Sequence, residues 1–186
     1  MSRPDAEVVR DIRRGDREAF AEIVHAYQRR LFGLALMMVR EPAGAEEVTQ
    51  DALVRAYTHI DDYDDSRPLY PWLASIAVRL AQNWLRTHGR TVRREGTALE
   101  NVEEPGARPV ALTSLIIDER SRGLWSAVAA LPSGERTAVV LYYRDQLPVR
   151  DIARALGVTT GTIKTLLFRA RRHLRERLQA AEENPR

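Results

Sequence analysis

The stretch Pro148–Leu178, PVRDIARALGVTTGTIKTLLFRARRHLRERL, reads as two helices joined by a tight turn. Val149, Ile152, Ala153 and Leu156 recur at i, i+3, i+4 and i+7, which makes one side of a helix starting just after Pro148 apolar. Gly157 ends it, since glycine enters the left-handed conformation at little cost, and Gly157-Val158-Thr159 turns a second helix across the first. Thr159 or Thr160 supplies the N-cap of that second helix. Ile163, Leu167, Ala170 and Leu174 then form its apolar stripe, while Thr162, Lys164, Thr165, Arg169, Arg171, Arg172 and Arg175 occupy the other faces. This is a helix-turn-helix pattern for a major groove: Ala153 lets the helices approach, and Ile163 locks the second one in place. Between Arg144 and Leu178 there are nine Lys/Arg against three Asp/Glu, a local charge of +6 that attracts phosphates in a salt-dependent way.

The whole chain has 186 residues, of which 44% are hydrophobic, enough for one or two small cores. The one long apolar run, Leu31–Val39, is short and flanked by Arg29, Arg30 and Arg40, so it reads as neither a membrane span nor a signal peptide. A cytoplasmic location without membrane insertion is expected. The chain contains no cysteine, which excludes disulfides, thiol catalysis and cysteine-based zinc sites. His25, His59, His88 and His173 are scattered and make no metal-binding spacing, so no metal and no cofactor are expected. No phosphate-binding glycine loop or nucleophile elbow is present, and no catalytic residue is assigned: the chain reads as a non-enzyme.

The net charge of +3 conceals segregation. Residues 41–65 hold eight acids and one arginine, residues 79–94 five arginines and no acid, and residues 95–119 six acids and one arginine. Alternation of this kind points to separate surfaces for different partners.

Taken in order, Asp5–Arg14 reads as a short helix interrupted by Gly15, with Asp16 capping a long helix that carries Phe20, Ile23, Val24, Tyr27, Leu31, Leu34 and Met38. Pro42 and Gly44 are expected to stop it. The next helix, Ala45–His59, turns Val48, Ala52, Ala56 and Ile60 inward and Glu46, Glu47, Gln50, Asp51, Val54 and Arg55 outward. The acid-rich loop Asp61–Pro68 lacks the glycine and closing glutamate of a calcium loop. Pro71 opens a further helix with Trp72, Leu73, Ile76, Leu80 and Leu85 toward a core and Ser75, Arg79, Gln82, Asn83 and Arg86 opposite. That arginine face, followed by His88, Arg90, Arg93 and Arg94, is a second candidate nucleic-acid surface. Tyr63, Tyr70, Trp72 and Trp84 lie near it as candidates for stacking on unpaired bases, although Trp72 is expected to pack in the core. Residues 96–116 show no helical stripe and contain prolines and glycines, which marks a flexible acidic linker. Periodicity resumes with Ile117, Leu124, Trp125, Val128 and Leu131, and Ser133 is expected to cap a helix from Glu135 to Arg144. The fold is therefore expected to be all-α: two small helical domains, residues 1–95 and 117–186, joined by the linker, the second a helix-turn-helix domain.

Three motifs in this order resemble the extracytoplasmic-function (group 4) sigma factors of bacterial RNA polymerase over nearly the whole chain. AEEVTQDALVRAY (Ala45–Tyr57) is similar to that family's A-E-D-L-V-Q-E-x-F-x-R-A-W, residues 68–87 to its P-x-A-W-L-x-x-I-A-x-N-x-x-x-D-x-x-R-R, and ALPSGERTAVVLYY to the A-L-P-x-x-x-R-x-x-x-x-L-x-Y ahead of its helix-turn-helix. The resemblance implies that Glu46, Glu47, Gln50, Asp51, Val54 and Arg55 dock on the polymerase β′ clamp helices. It implies that Tyr63, Tyr70, Ser75, Arg79, Gln82, Asn83 and Arg86 read and help open the minus-10 element. Thr160, Thr162, Lys164, Thr165, Phe168, Arg169, Arg171 and Arg172 would then read the minus-35 element and hold its phosphates. The implied partners are bacterial core RNA polymerase, through the clamp helices and the β flap, promoter DNA, and an anti-sigma factor, for which no residue of the sequence itself speaks. This chain departs from the pattern at Val78-Arg79, where many relatives have Arg-Asn, at Asn83 in place of Asp, and at Leu166 in place of a basic residue. A stand-alone helix-turn-helix repressor or activator is the competing reading, and it requires palindromic sites and tight binding of the free protein to duplex DNA.

Overall fold

A computed structural model describes residues 3–94 and 119–183, and all regular structure among them is helical. The chain divides into two compact units, residues 1–92 and 93–186. The expected linker, residues 96–116, lies outside the described residues, as does Ile117.

The first unit contains α1 (Asp5–Arg13), α2 (Phe20–Val39), α3 (Pro42–Thr58), a 3₁₀ turn (Ile60–Asp62) and α4 (Leu69–Arg94). Gly15 follows α1 at φ +101°, and Asp16 then does cap the entry to α2: its Oδ1 accepts from the amides of Glu18 at 3.0 Å and Ala19 at 3.2 Å. The helix winds in through i→i+3 bonds before becoming regular at Phe20. Its end differs from expectation. Arg40 adopts the left-handed conformation at φ 63° and stops α2, whereas Pro42 sits at the first position of α3 and Gly44 lies within the first turn of that helix. Glu41 caps α3, its carboxylate accepting from the amides of Ala43 at 3.0 Å and of Gly44, so α3 starts three residues earlier than its apolar period suggested. Val48, Ala52, Ala56 and Ile60 are buried as expected, and α2 and α3 pack along each other.

In α4 the inward stripe is built mostly of small residues. Leu73, Ala74, Ala77, Val78 and Ala81 are fully covered, while Trp72, Ile76, Leu80 and Leu85 are half-buried on the flanks. Small side chains let helix backbones come close, and the larger ones close the edges of the contact. Each fully buried Leu or Ile of this core, such as Ile23, Leu31, Leu34 and Leu73, contributes roughly 1.5–3 kcal/mol.

The second unit contains α5 (Glu119–Ala129), α6 (Ser133–Val139), a π-helical turn (Val140–Arg144) continuing α6, α7 (Val149–Leu156) and α8 (Thr160–Glu183). Pro132, not Ser133, holds the N-cap position of α6, and Ser133 makes no capping bond with its side chain. The arginine of the ALPSGER motif has a structural task. Arg136 is 2% exposed, and its Nη1 donates to the carbonyls of Ala129 at 2.7 Å and Leu131 at 3.2 Å, satisfying the C-terminal end of α5.

Candidate nucleic-acid interface

The turn between α7 and α8 forms as its residue types demand. Gly157 is left-handed at φ 67°; the Val158 amide donates to the Ala153 carbonyl at 3.0 Å and the Gly157 amide to Arg154 at 3.3 Å, the double bond of a glycine-terminated helix. Thr159 is the N-cap, its Oγ1 accepting from the Thr162 amide at 3.1 Å. Ile152, Ala153, Ile163, Leu167 and Ala170 are buried, which fixes the crossing of the two helices. The opposite side of α8 therefore faces out: Thr160, Thr162, Lys164, Thr165, Phe168, Arg169, Arg171 and Arg172 are all exposed. Phe168 is the largest apolar group among them, at 66% exposure.

These residues are not equivalent. The Thr162 hydroxyl lies 2.9 Å from that of Thr159, and Thr165 Oγ1 donates to the Gly161 carbonyl at 3.0 Å, so both hydroxyls are held in fixed directions with acceptor capacity left over. Lys164 and Arg169 have no ion-pair partner among the described residues, whereas Arg172 faces Glu176 at 3.8 Å. Arg171 turns away: its Nε donates to the Tyr143 hydroxyl at 2.7 Å. It lies on the rim of a groove of about 580 Å³ lined by Leu124, Trp125, Val128, Val139, Leu174 and Leu178. The sequence offered one hint of this groove, the continuation of apolar residues past Leu174. Leu166 is half-buried, and a side-chain carbon placed on Gly134 would lie 3.6 Å from it, so it fills space beside α6.

The first unit carries two further faces. On α3, Glu46, Gln50 and Val54 fall at i, i+4 and i+8, and Glu47, Asp51 and Arg55 run beside them; all six are exposed. Val54 is 62% exposed within this polar frame. On α4, Arg79, Gln82, Asn83 and Arg86 are exposed along one side, and Arg86 donates to the Asn83 carboxamide. Ser75 is half-buried with its hydroxyl on the Trp72 carbonyl at 2.7 Å. Tyr63 and Tyr70 depart from expectation: both are 4% exposed, so neither ring is presented for stacking on a base. Tyr63 packs against Trp72 with ring centres 5.3 Å apart and donates to the Arg67 carbonyl, and Tyr70 stacks on Tyr27 with the Arg30 guanidinium over its ring at 3.5 Å. Burial first, then the nearby carboxylates, pushes the Tyr63 phenol up to about 12. Trp84 is half-buried, donates to Glu47 Oε2 at 3.0 Å and stacks on the exposed His88 at 4.3 Å. The side chains of Arg90, Arg93 and Arg94 lie outside the described residues.

Residues 23–91 match the sigma-70 region 2 family, and residues 121–174 match sigma-70, region 4. The chain is 32% identical over 180 residues to the ECF RNA polymerase sigma factor SigW of Bacillus subtilis, an alignment covering 92% of this chain and 95% of that one. The chain belongs to the extracytoplasmic-function sigma factors. It is 30% identical over 182 residues to the ECF RNA polymerase sigma-E factor of Escherichia coli K12, with 94% of each covered. Among solved structures it is similar to the sigma factor RpoE of Bartonella quintana in complex with the anti-sigma factor NepR, with TM-score 0.67 and 25% identity, covering 86% of this chain and 96% of that one. The fold is also that of CnrH in complex with the cytosolic domain of CnrY, with TM-score 0.67 and 21% identity, covering 96% of this chain and 99% of that one. Within this sigma factor the departures from the family pattern separate by location. Val78 is a fully buried core residue, whereas Arg79 and Asn83 are exposed on α4. No helix among the described residues is long and apolar enough to cross a membrane.

Proposed function

We propose that this sigma factor directs bacterial core RNA polymerase to specific promoters from the cytoplasm, reading the minus-35 element with α8 and capturing the opened minus-10 element with the first unit. The observation that carries the reading is the presence of three distinct exposed faces on a chain of this family. A repressor requires the α8 face alone, and the α3 and α4 faces of the first unit would then have no task. The acidic α3 face with Val54 at its centre is the docking surface for the polymerase β′ clamp helices. The α4 face, Arg79, Gln82, Asn83 and Arg86, meets minus-10 DNA. Thr160, Thr162, Lys164, Thr165, Phe168 and Arg169 meet the minus-35 duplex, with Arg172 on its phosphates. Arg171 and the apolar groove behind it are assigned to the polymerase β flap.

Opening DNA without hydrolysis requires that capture of displaced bases offset unstacking, about a few kcal/mol per flipped base. With Tyr63 and Tyr70 in the core, that capture falls to the loop backbone around residues 60–68 and to the polar α4 face. An anti-sigma factor is a further proposed partner, supported by the likeness to the RpoE–NepR complex.

The test is transcription by core polymerase plus the purified chain on a library of genomic fragments. Discrete start sites sharing one minus-35 and one minus-10 sequence are expected. No start sites, together with tight binding of the free chain to palindromic duplexes, would transfer the function to the repressor reading.

A further inference from the structure

We infer that Arg13, on α1 and far in sequence from every DNA-facing residue, is the positioning residue for the loop that receives an unpaired minus-10 base. The inference rests on the minus-10 role proposed for the first unit. Arg13 reaches from the end of α1 to the segment that follows α3. Its Nη2 shares two hydrogens among three carbonyls, those of Ile60 at 3.1 Å and Tyr63 and, at the longer distance of 3.5 Å, Asp61. Its Nε faces Asp61 Oδ1 at 3.7 Å, and its Nη1 faces Asp65 Oδ2 at 3.6 Å. The side chain is 26% exposed, so these bonds are made largely out of water. A guanidinium is suited to this because its planar fork aims one arm, Nη2, at the carbonyls while Nε and Nη1 face the carboxylates, and a charged donor strengthens each bond to a carbonyl.

The loop has two halves held in different ways. The second half is self-supporting: Asp64 Oδ1 accepts from the Ser66 amide at 3.1 Å and hydroxyl at 2.6 Å, Arg67 pairs with Asp64 at 2.8 Å, and the Tyr63 hydroxyl reaches the Arg67 carbonyl. The first half, the 3₁₀ turn at residues 60–62 and the step to Tyr63, has two internal backbone bonds, Asp62 to His59 at 3.0 Å and Tyr63 to Ile60 at 3.3 Å, and one contact between exposed side chains, His59 to Asp62 at 3.2 Å; its buried tie is Arg13. Three backbone carbonyls converging on one side chain fix where that half lies. A protein that selects a displaced base by shape needs its loop backbone held before the base arrives, because ordering the loop on binding would weaken both affinity and discrimination. The carbonyl bonds, not the acidic partners, do the positioning: Asp61 is 87% exposed and Asp65 47%, and ion pairs in that setting are weak.

The experiment uses holoenzyme assembled from bacterial core polymerase and the full chain, and a pool of duplexes containing a pre-opened, non-complementary decamer of random sequence. Sequencing the bound pool gives the preference at each unpaired position. Wild type is expected to enrich particular bases about tenfold or more. Arg13→Ala is expected to flatten that enrichment at least fivefold at a subset of unpaired positions, while binding to core polymerase and enrichment in an attached minus-35 duplex arm stay unchanged. Arg13→Lys, which keeps the charge on a shorter stem and so holds its donors farther from the carbonyls, falls between the two and serves if Arg13→Ala does not fold. Asp61→Asn with Asp65→Asn is expected to match wild type. Unchanged base preference in Arg13→Ala, or flattening by the double Asp change equal to that of Arg13→Ala, overturns the positioning role. Loss of core binding in a folded Arg13→Ala, or in Arg13→Lys, overturns it as well. Wild-type holoenzyme that enriches no unpaired base would instead overturn the minus-10 reading on which the inference rests.

Discussion

Gly44→Ala should destabilise the first unit, against the usual sense of that substitution. Gly44 lies in a helical turn, where alanine is ordinarily favoured by up to about 1 kcal/mol. Here a side-chain carbon would sit 2.4 Å from Trp84 Cζ2, 2.6 Å from its Cε2 and 2.9 Å from Glu41 Oε2. Carbon atoms come to rest roughly 3.5–4.0 Å apart, so the indole must retreat by more than about 1 Å. That motion stretches its 3.0 Å bond to Glu47 and disturbs its stacking on His88. Overpacking of this kind costs about 1–3 kcal/mol, which leaves a net loss of up to about 2 kcal/mol after a full helix gain of about 1 kcal/mol. Trp72 and Trp84 both belong to the first unit, so in a Trp125→Phe background the fluorescence of the intact chain in urea reports that unit alone. The double-mutant cycle with Trp84→Ala isolates the cause: without the indole, Gly44→Ala should become neutral or stabilising by up to about 1 kcal/mol. Equal or greater stability of Gly44→Ala in the presence of Trp84 would refute the reasoning.

Other consequences follow from the same structure. Thr159→Ala removes the cap of α8 and should cost the second unit about 1 kcal/mol, read by thermal or urea unfolding, with weaker minus-35 binding because the Thr162 hydroxyl loses its partner. The first unit should lose stability between roughly pH 10 and 12. Tyr63 and Tyr27 both hold their protons in the folded state past the ordinary phenol range, Tyr27 through burial and its hydrogen bond to Asp5, so only the unfolded chain ionises them there. The stabilisation is complete below about pH 10 and disappears as pH rises through the folded value; tyrosinate absorbance should show two late-titrating phenols that join the others on unfolding. Lys164→Ala and Arg169→Ala should each weaken minus-35 duplex binding and lower the slope of log affinity against log salt by about one if each contacts a phosphate. An unchanged slope in Arg169→Ala with relaxed base preference would assign it to a base edge instead.

Much of the second unit was legible because local rules govern it. Gly157 is a left-handed terminator, Thr159 a cap and Ile163 a buried anchor, all within a few residues of what they control. The helix α3 was legible in its faces but not in its start, since a glutamate just before a proline gave no periodic signal, although Glu41 caps it. The tyrosines near the acidic loop were not legible. Tyr63 and Tyr70 carry a polar group and sit among charges, and only the packing of Trp72, Tyr27 and Arg30 around them shows that their rings are core. The α4 stripe was misread for a related reason: weight given to large side chains hid Ala74, Ala77 and Ala81, which are fully buried. Arg13 was silent in sequence because its partners, the carbonyls of Ile60, Asp61 and Tyr63, are backbone atoms about fifty residues away. The groove beside α8 needs three helices to exist and could not be read from any one of them.

Binding of the purified chain to bacterial core RNA polymerase in the absence of DNA tests the central claim most directly, with Gln50→Ala plus Asp51→Ala as the comparison. Both residues are exposed on α3 and bury no part of the core, so the double change should leave the fold intact. Tight binding by wild type, weakened at least about tenfold by the double change, is expected; a tenfold loss corresponds to about 1.4 kcal/mol of interface energy. A chain that ignores core polymerase while shifting duplex DNA on its own would contradict the assignment of the first unit.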